Sequence, residues 1–161
     1  DKFYWLIAKQ YNLVLNDMFF ADKMNINVKE ILGFLLVARC IERIADHAKK
    51  IALNAKVVSI DHESLDRIVQ VSDKIMKGFD NSVNAFQRNK FETANDVIET
   101  SNELYDLIQE LKTDLFKIDT EAKIVASLAY IIDSLERTCA YVIDIAEISI
   151  NHQFATMIGK D

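Results

Sequence analysis

The chain has 161 residues, half of them apolar, with no proline and only three glycines. This composition argues against a strand-rich or loop-rich fold and favours long helices. They would form either one domain or two small domains that share a hydrophobic core. The formal net charge of −6 argues against a nucleic-acid-binding surface, and no apolar run approaches the roughly 20 residues of a membrane span, so we expect no direct nucleic-acid binding by this segment and no membrane insertion.

Apolar residues recur at helical spacings in five segments. In chain order, the predicted helices cover about residues 2–20, 28–56, 62–88 and 91–118, followed by a fifth that ends near residue 155. Asn27 and Glu30 form a capping-box pattern before the second helix, and Ser59 or Asp61 can cap the third. Because long helices joined by short turns pack antiparallel, the predicted fold is an all-α, up-and-down antiparallel helical bundle.

The chain contains an internal repeat with an offset of 94 residues. Residues 41–47, Ile-Glu-Arg-Ile-Ala-Asp-His, match residues 135–141, Leu-Glu-Arg-Thr-Cys-Ala-Tyr. The second copy has three predicted helices, whereas the first has two. We therefore predict a partial first repeat over residues 1–58 and a complete second repeat over residues 59–161, with an N-terminal part of the natural protein missing from this chain.

Two carboxylates of the second predicted helix form a candidate metal site. Glu42 and Asp46 are four residues apart and therefore face the same way. Two carboxylates cannot hold a hard cation unless a neighbouring helix adds oxygen ligands, and surface ion pairs with Arg43 or Lys50 are the simpler interpretation. The next side chain, His47, points about 100° away from Asp46, and we expect it to be solvated or ion-paired rather than a ligand.

Other kinds of functional site lack their sequence signatures. The chain has no Gly-rich phosphate loop, no Cys-x-x-Cys motif and no Gly-x-Ser-x-Gly motif. Cys40 and Cys139 lie inside helical patterns, where small buried residues are a simpler interpretation than a disulfide, and this usage fits a reducing compartment. We therefore predict a cytoplasmic protein that is not an enzyme.

The segment of residues 38–52, Ala-Arg-Cys-Ile-Glu-Arg-Ile-Ala-Asp-His-Ala-Lys-Lys-Ile-Ala, resembles the signature of the PhoU family. That signature reads roughly Ala-Arg-x-Leu-Glu-Arg-Ile-Gly/Ala-Asp-His-Ala-x-Asn-Ile-Ala-Glu. Residues 135–147 resemble it in degraded form, and residues 1–10 are similar to the preceding family helix, especially in archaeal members. The resemblance covers nearly the whole chain.

The resemblance implies two three-helix bundles in tandem, of which the first is incomplete here, and multinuclear iron or zinc sites on adjacent helices. Glu42 and Asp46 match the metal motif of the first copy, and Asp1 matches the aspartate of the helix before it. In the second copy Glu136 matches the motif, but Ala140 replaces the aspartate. The metal ligands expected from the resemblance are therefore Glu42, Asp46, Asp1 and Glu136, and we expect metal at the first copy.

The resemblance also implies a negative regulator of phosphate uptake that acts through a phosphate ABC transporter, a sensor kinase or both. One alternative is a C-terminal regulatory and dimerisation domain of a transcription factor whose DNA-binding part precedes Asp1. Another is a helical oligomerisation domain with a vestigial metal motif. In each case the first two helices leave an apolar face open, which includes some of Phe3, Trp5, Phe19 and Phe20. We expect this face to be covered either by another chain, in a homodimer or a higher oligomer, or by the helix that is missing from the first copy.

Overall fold

The computed structural model describes residues 2–58 and 63–158, which fold into six α-helices and contain no strand. The all-α prediction is thus confirmed. The predictions made for Asp1, and for Ser59 and Asp61 as caps, lie outside the described residues. The helices are α1 (Lys2–Asn16), α2 (Met18–Met24), α3 (Val28–Ala55), α4 (Glu63–Arg88), α5 (Phe91–Leu115) and α6 (Ala122–Ile158).

The first predicted helix is in fact two helices, because Asp17 interrupts it. The backbone of Asp17 is extended, and its carboxylate accepts hydrogen bonds from the backbone N–H groups of Phe19 and Phe20 at 3.0 and 3.4 Å. A short polar side chain that bonds nearby backbone amides competes with the helical ladder and begins a new helix. The apolar periodicity continues across this break, so the prediction of one helix over residues 2–20 was wrong.

The start of α3 follows its sequence pattern closely. Asn27 accepts a hydrogen bond from the N–H of Glu30 at 2.9 Å, and the Glu30 carboxylate accepts one from the N–H of Asn27 at 2.8 Å. This reciprocal pair satisfies two amides that the helix leaves unbonded. The capping box predicted here is confirmed.

The main core lies between α4, α5 and α6, which form a three-helix bundle. Fully buried aliphatic side chains occupy its centre: Ile108, Leu111, Leu128, Ile132 and Val142. α3 makes its most extensive contact with α6 and runs antiparallel to it, so that Gly33 lies beside His152 while His47 lies beside Tyr141. A smaller core cluster, built around Val37, Cys40, Phe86 and Ile145, joins α3 to the bundle.

α1 packs on α3 and on α2, and both α1 and α2 leave large apolar side chains exposed. Met18 and Phe3 are about four-fifths exposed, and Phe19 and Trp5 about three-quarters and two-thirds. α1 and α2 therefore leave large apolar side chains exposed, and the prediction that they belong to one open face covered by another element or chain stays a prediction. The division into repeats at residues 58 and 59 also stays a prediction. Within residues 2–58 and 63–158, no helix is long and apolar enough to cross a bilayer.

Candidate functional site

Glu42 and Asp46 lie one turn apart on α3, as predicted. The Asp46 carboxylate is half-exposed, and Oδ2 of Asp46 lies 3.5 Å from Nη1 of Arg43. An exposed ion pair with this long separation contributes little to stability, so it leaves the carboxylate free to exchange partners. Glu42 is partly buried, and within the described residues its carboxylate forms no hydrogen bond or ion pair.

Glu136, the corresponding carboxylate of the second copy, is already engaged on α6. Nζ of Lys112 lies 2.7 Å from each Glu136 carboxylate oxygen, and Nε2 of Gln109 donates to Oε1 at 2.8 Å. Burial by itself raises the pKa of Glu136, but the hydrogen bonds and charge of Lys112 outweigh that effect and hold the pKa below its usual range. Glu136 is therefore an ionised carboxylate that a neighbouring helix neutralises.

His47 is buried against α6, so the expectation of a solvated or ion-paired side chain was wrong. It is 9% exposed, its ring centroid lies 6.0 Å from that of Tyr141, and within the described part of the chain its Nδ1 has no hydrogen-bond partner. Burial and the nearby Lys50 lower its pKa, and Asp133 partly offsets them. The 100° turn away from Asp46 that sequence geometry requires carries this ring into the α3–α6 interface.

Comparison with known protein families identifies the chain. The family model of the PhoU domain matches residues 1–55 and 68–149, which together span most of the sequence. The chain belongs to the PhoU family. This membership indicates a role in the regulation of phosphate transport, in a family that is regulatory rather than enzymatic. A comparison with curated proteins found no match, and neither did a comparison with solved structures.

The described residues bring together only part of the metal-ligand set expected from the sequence. Among residues 2–58 and 63–158, no group of three or more His, Cys, Asp or Glu side chains could hold a metal ion. Glu42 and Asp46 supply oxygen donors of the right chemistry, but they are two of the several that iron or zinc requires. A metal at Glu136 would have to displace Lys112, and Ala140 offers no second ligand there. The first copy fits a metal in part, and the second does not.

A second enclosed histidine in this PhoU chain had no role in the sequence interpretation. The His152 ring on α6 packs between Phe34 and Phe86, with ring-centroid distances of 5.9 and 4.9 Å. Its Nδ1 is enclosed without a hydrogen-bond partner among the described residues, and burial lowers its pKa while Glu30 partly offsets that shift. A Cβ on Gly33 would lie 2.9 Å from this nitrogen, so the glycine is the only sequence signal for the close contact.

Proposed function

We propose that this PhoU chain is a negative regulator of phosphate uptake that acts by binding metal and partner proteins rather than by catalysis. The match to the PhoU domain, which covers both the α1–α3 segment and most of the α4–α6 segment, is the observation that carries the proposal. The site on α3 adds support, because Glu42 and the half-exposed Asp46 lie on one helix, and the ion pair of Asp46 with Arg43 is weak.

Buried nucleophiles support a role other than catalysis. Cys40 and Cys139 are both buried, and burial raises the pKa of each thiol to about 11. Because the thiolate is the reactive form, neither cysteine is a nucleophile at neutral pH. His47 is buried beside Tyr141, and the His152 ring packs against Phe34 and Phe86, so both are poorly placed to transfer protons to a substrate.

For the metal, we propose that Glu42 and Asp46 hold iron or zinc together with oxygen ligands from outside the described residues. Asp1 is one source of such a ligand, and a second molecule is another. The paired state of Glu136 supports binding at the first copy in preference to the second, because releasing Lys112 would leave a partly buried charge without its partner.

For the partners, we propose that the exposed face of α1 and α2 takes part in self-association, as a homodimer or higher oligomer, or in binding to a phosphate ABC transporter or its sensor kinase in the cytoplasm. Exposed apolar patches of this kind are uncommon on monomers and mark interaction surfaces. The four most exposed apolar side chains of this face are Phe3, Trp5, Met18 and Phe19.

The proposed function is tested by phosphate uptake in the source organism. Deletion of the gene should increase the uptake of radiolabelled phosphate in phosphate-rich medium, and restoring the wild-type gene should reverse the increase. Unchanged uptake after deletion would contradict the proposal. A change of transcription at promoters that the full-length protein occupies, without any change in uptake, would instead support the transcription-factor alternative.

The metal assignment has its own test. Iron and zinc are titrated into the wild-type chain, Asp46→Ala and Glu136→Ala, with Asp80→Ala as a control that removes an exposed carboxylate from α4. We expect Asp46→Ala to abolish binding, and Glu136→Ala and Asp80→Ala to leave it unchanged. Equal losses in Asp46→Ala and Glu136→Ala would show that the residue assignment is wrong.

A further inference from the structure

A groove of about 410 Å³ runs along the contact between α3 and α6, and Arg43, one of its lining residues, lies between Glu42 and Asp46 in the sequence of α3. Arg39 and Arg43 line its α3 side, four residues apart and therefore on one face of the helix. Asp144 and Glu147 line its α6 side, three residues apart. One wall of the groove is therefore cationic and the opposite wall is anionic.

The two walls do not neutralise each other directly. Within the described residues no ion pair crosses the groove, and the one ion pair of Arg43 is with Asp46 on its own helix. Burial of part of its surface raises the pKa of Asp144, although this residue, like the other three charged residues of the groove, is exposed. Because no ion pair of the described residues joins the two walls, a ligand that carries both opposite charges can pair with both walls at once.

The size and base of the groove favour a small molecule. Its volume lies near the lower end of the roughly 300–1,000 Å³ that is usual for small-molecule sites. Cys40, which is 8% exposed, and the apolar side chains of Leu36 and Ile148 supply a non-polar surface between the charged walls. The groove is partly open and can accommodate a compact ligand with a short apolar part.

We propose that this groove binds a small zwitterion of the amino-acid class. The ligand carboxylate is held by Arg39 and Arg43, because a guanidinium donates two parallel hydrogen bonds to a carboxylate. The ligand ammonium is held by Asp144 and Glu147. A simple anion would be repelled by the α6 wall and a simple cation by the α3 wall, so both charges are needed on one molecule.

The internal repeat does not reproduce this site. Arg137 occupies the position of Arg43 in the second copy, but Asp133 occupies the position of Arg39. The cationic wall is thus a property of α3 alone. The proposal does not depend on the role in phosphate uptake or on a metal, since Glu42 does not line the groove and Asp46 does not either.

Isothermal titration calorimetry tests the proposal with the purified chain and each of the twenty L-amino acids at pH 7. We expect at least one amino acid to bind, and Arg39→Gln and Asp144→Asn each to weaken its binding by about tenfold or more, as expected for the loss of a charge-assisted hydrogen bond. Arg88→Gln and Asp80→Asn make the same charge changes at exposed sites outside the groove and should leave binding unchanged.

Single-charge probes separate a zwitterion site from an ion site. Acetate and methylammonium should each bind at least about tenfold more weakly than the best amino acid, because each leaves one wall without a partner. Three results would overturn the proposal: no binding by any amino acid, equal losses in the groove variants and their controls, or binding of acetate as tight as that of the best amino acid. Circular dichroism of each variant checks that the helices are retained.

Discussion

The α4–α6 bundle of this PhoU protein buries a core of large apolar side chains, whereas the α1–α2 segment exposes several of its own. In the bundle, Leu128 and Ile108 are completely buried, and Lys112 on one helix neutralises Glu136 on the next. In α1 and α2, Phe3 and Met18 are mostly exposed. The bundle therefore buries its apolar side chains within itself, whereas α1 and α2 leave several of theirs exposed to solvent.

The largest expected difference between the regions is in how much a Leu→Ala substitution lowers the free energy of unfolding. Leu128→Ala, at a fully buried position of α6, should lower the free energy of unfolding by about 3–5 kcal/mol. Leu6→Ala, the matched substitution at a half-exposed position of α1, should lower it by less than about 1 kcal/mol. Urea denaturation followed by circular dichroism measures both. Similar losses from the two substitutions would show that α1 belongs to the cooperative core.

The two enclosed histidines predict a pH dependence of the interface that joins α3 to the bundle. Burial lowers the pKa of His47 and of His152, so the unfolded chain takes up their protons more readily than the folded chain. Well above pH 6.5 both histidines are neutral in the folded and in the unfolded chain, so the free energy of unfolding does not depend on them. As the pH drops below 6.5, the unfolded chain binds protons first, and the free energy of unfolding falls until the pH passes the folded-state pKa of each histidine. The slope reaches at most about 1.4 kcal/mol per pH unit for each histidine.

Unfolding experiments between pH 8 and pH 5 on the wild-type chain and His152→Gln test this dependence. The substitution should reduce the loss of stability over that range, because one proton-binding group is removed while Glu30 and the remaining carboxylates are kept. An unchanged slope in His152→Gln would assign the pH dependence to other groups.

The ion pairs of the two repeat copies should differ in their contributions to the free energy of unfolding, but by a smaller amount. Lys112→Ala leaves the partly buried Glu136 with Gln109 as its remaining side-chain donor, and we expect a loss of about 1 kcal/mol. Arg43→Ala removes a half-exposed pair with a 3.5 Å separation and should change stability by less than about 0.5 kcal/mol. Thermal unfolding of both variants is the measurement, and a larger loss from Arg43→Ala would reverse the comparison.

The smallest effect on folding is expected at the open face itself. Phe19→Ser should change the free energy of unfolding of the monomer by less than about 0.5 kcal/mol, because the side chain is about three-quarters exposed. The same substitution should weaken self-association in sedimentation experiments if this face is the interface. Exposed Phe116, which lies outside the face just after α5, provides the matched control as Phe116→Ser.

Local patterns determined what the sequence could predict. The capping box of Asn27 and Glu30 acts over three residues and was found without any knowledge of tertiary contacts. The break at Asp17 is also local, but the apolar spacing on both sides is compatible with one helix, and that periodicity was given more weight than the aspartate. Short-range hydrogen bonding by polar side chains therefore needs to be considered even inside an apolar stripe.

Contacts between helices account for the features that the sequence interpretation missed. Lys112 reaches Glu136 from another helix, 24 residues away, and His47 is buried by Tyr141, 94 residues away. A single-helix projection shows which side chains share a face but not which helix covers that face. The carboxylate pair of Glu42 and Asp46 was placed correctly on α3, whereas the neutralisation of Glu136 required the packing of α5 on α6.

The two cysteines report on opening at two different places, the contact of α3 with α6 and the interior of the bundle. Cys40 is buried where α3 meets α6, while Cys139 lies in the bundle, where its Sγ donates to the carbonyl oxygen of Ser101 at 3.6 Å. A thiol reagent reaches either cysteine only when the surrounding helices separate. The labelling rate of each cysteine therefore measures how often the structure opens at that position. Movement of α3 away from the bundle exposes Cys40 while Cys139 stays covered, so labelling of Cys40 alone would distinguish local opening of α3 from global unfolding.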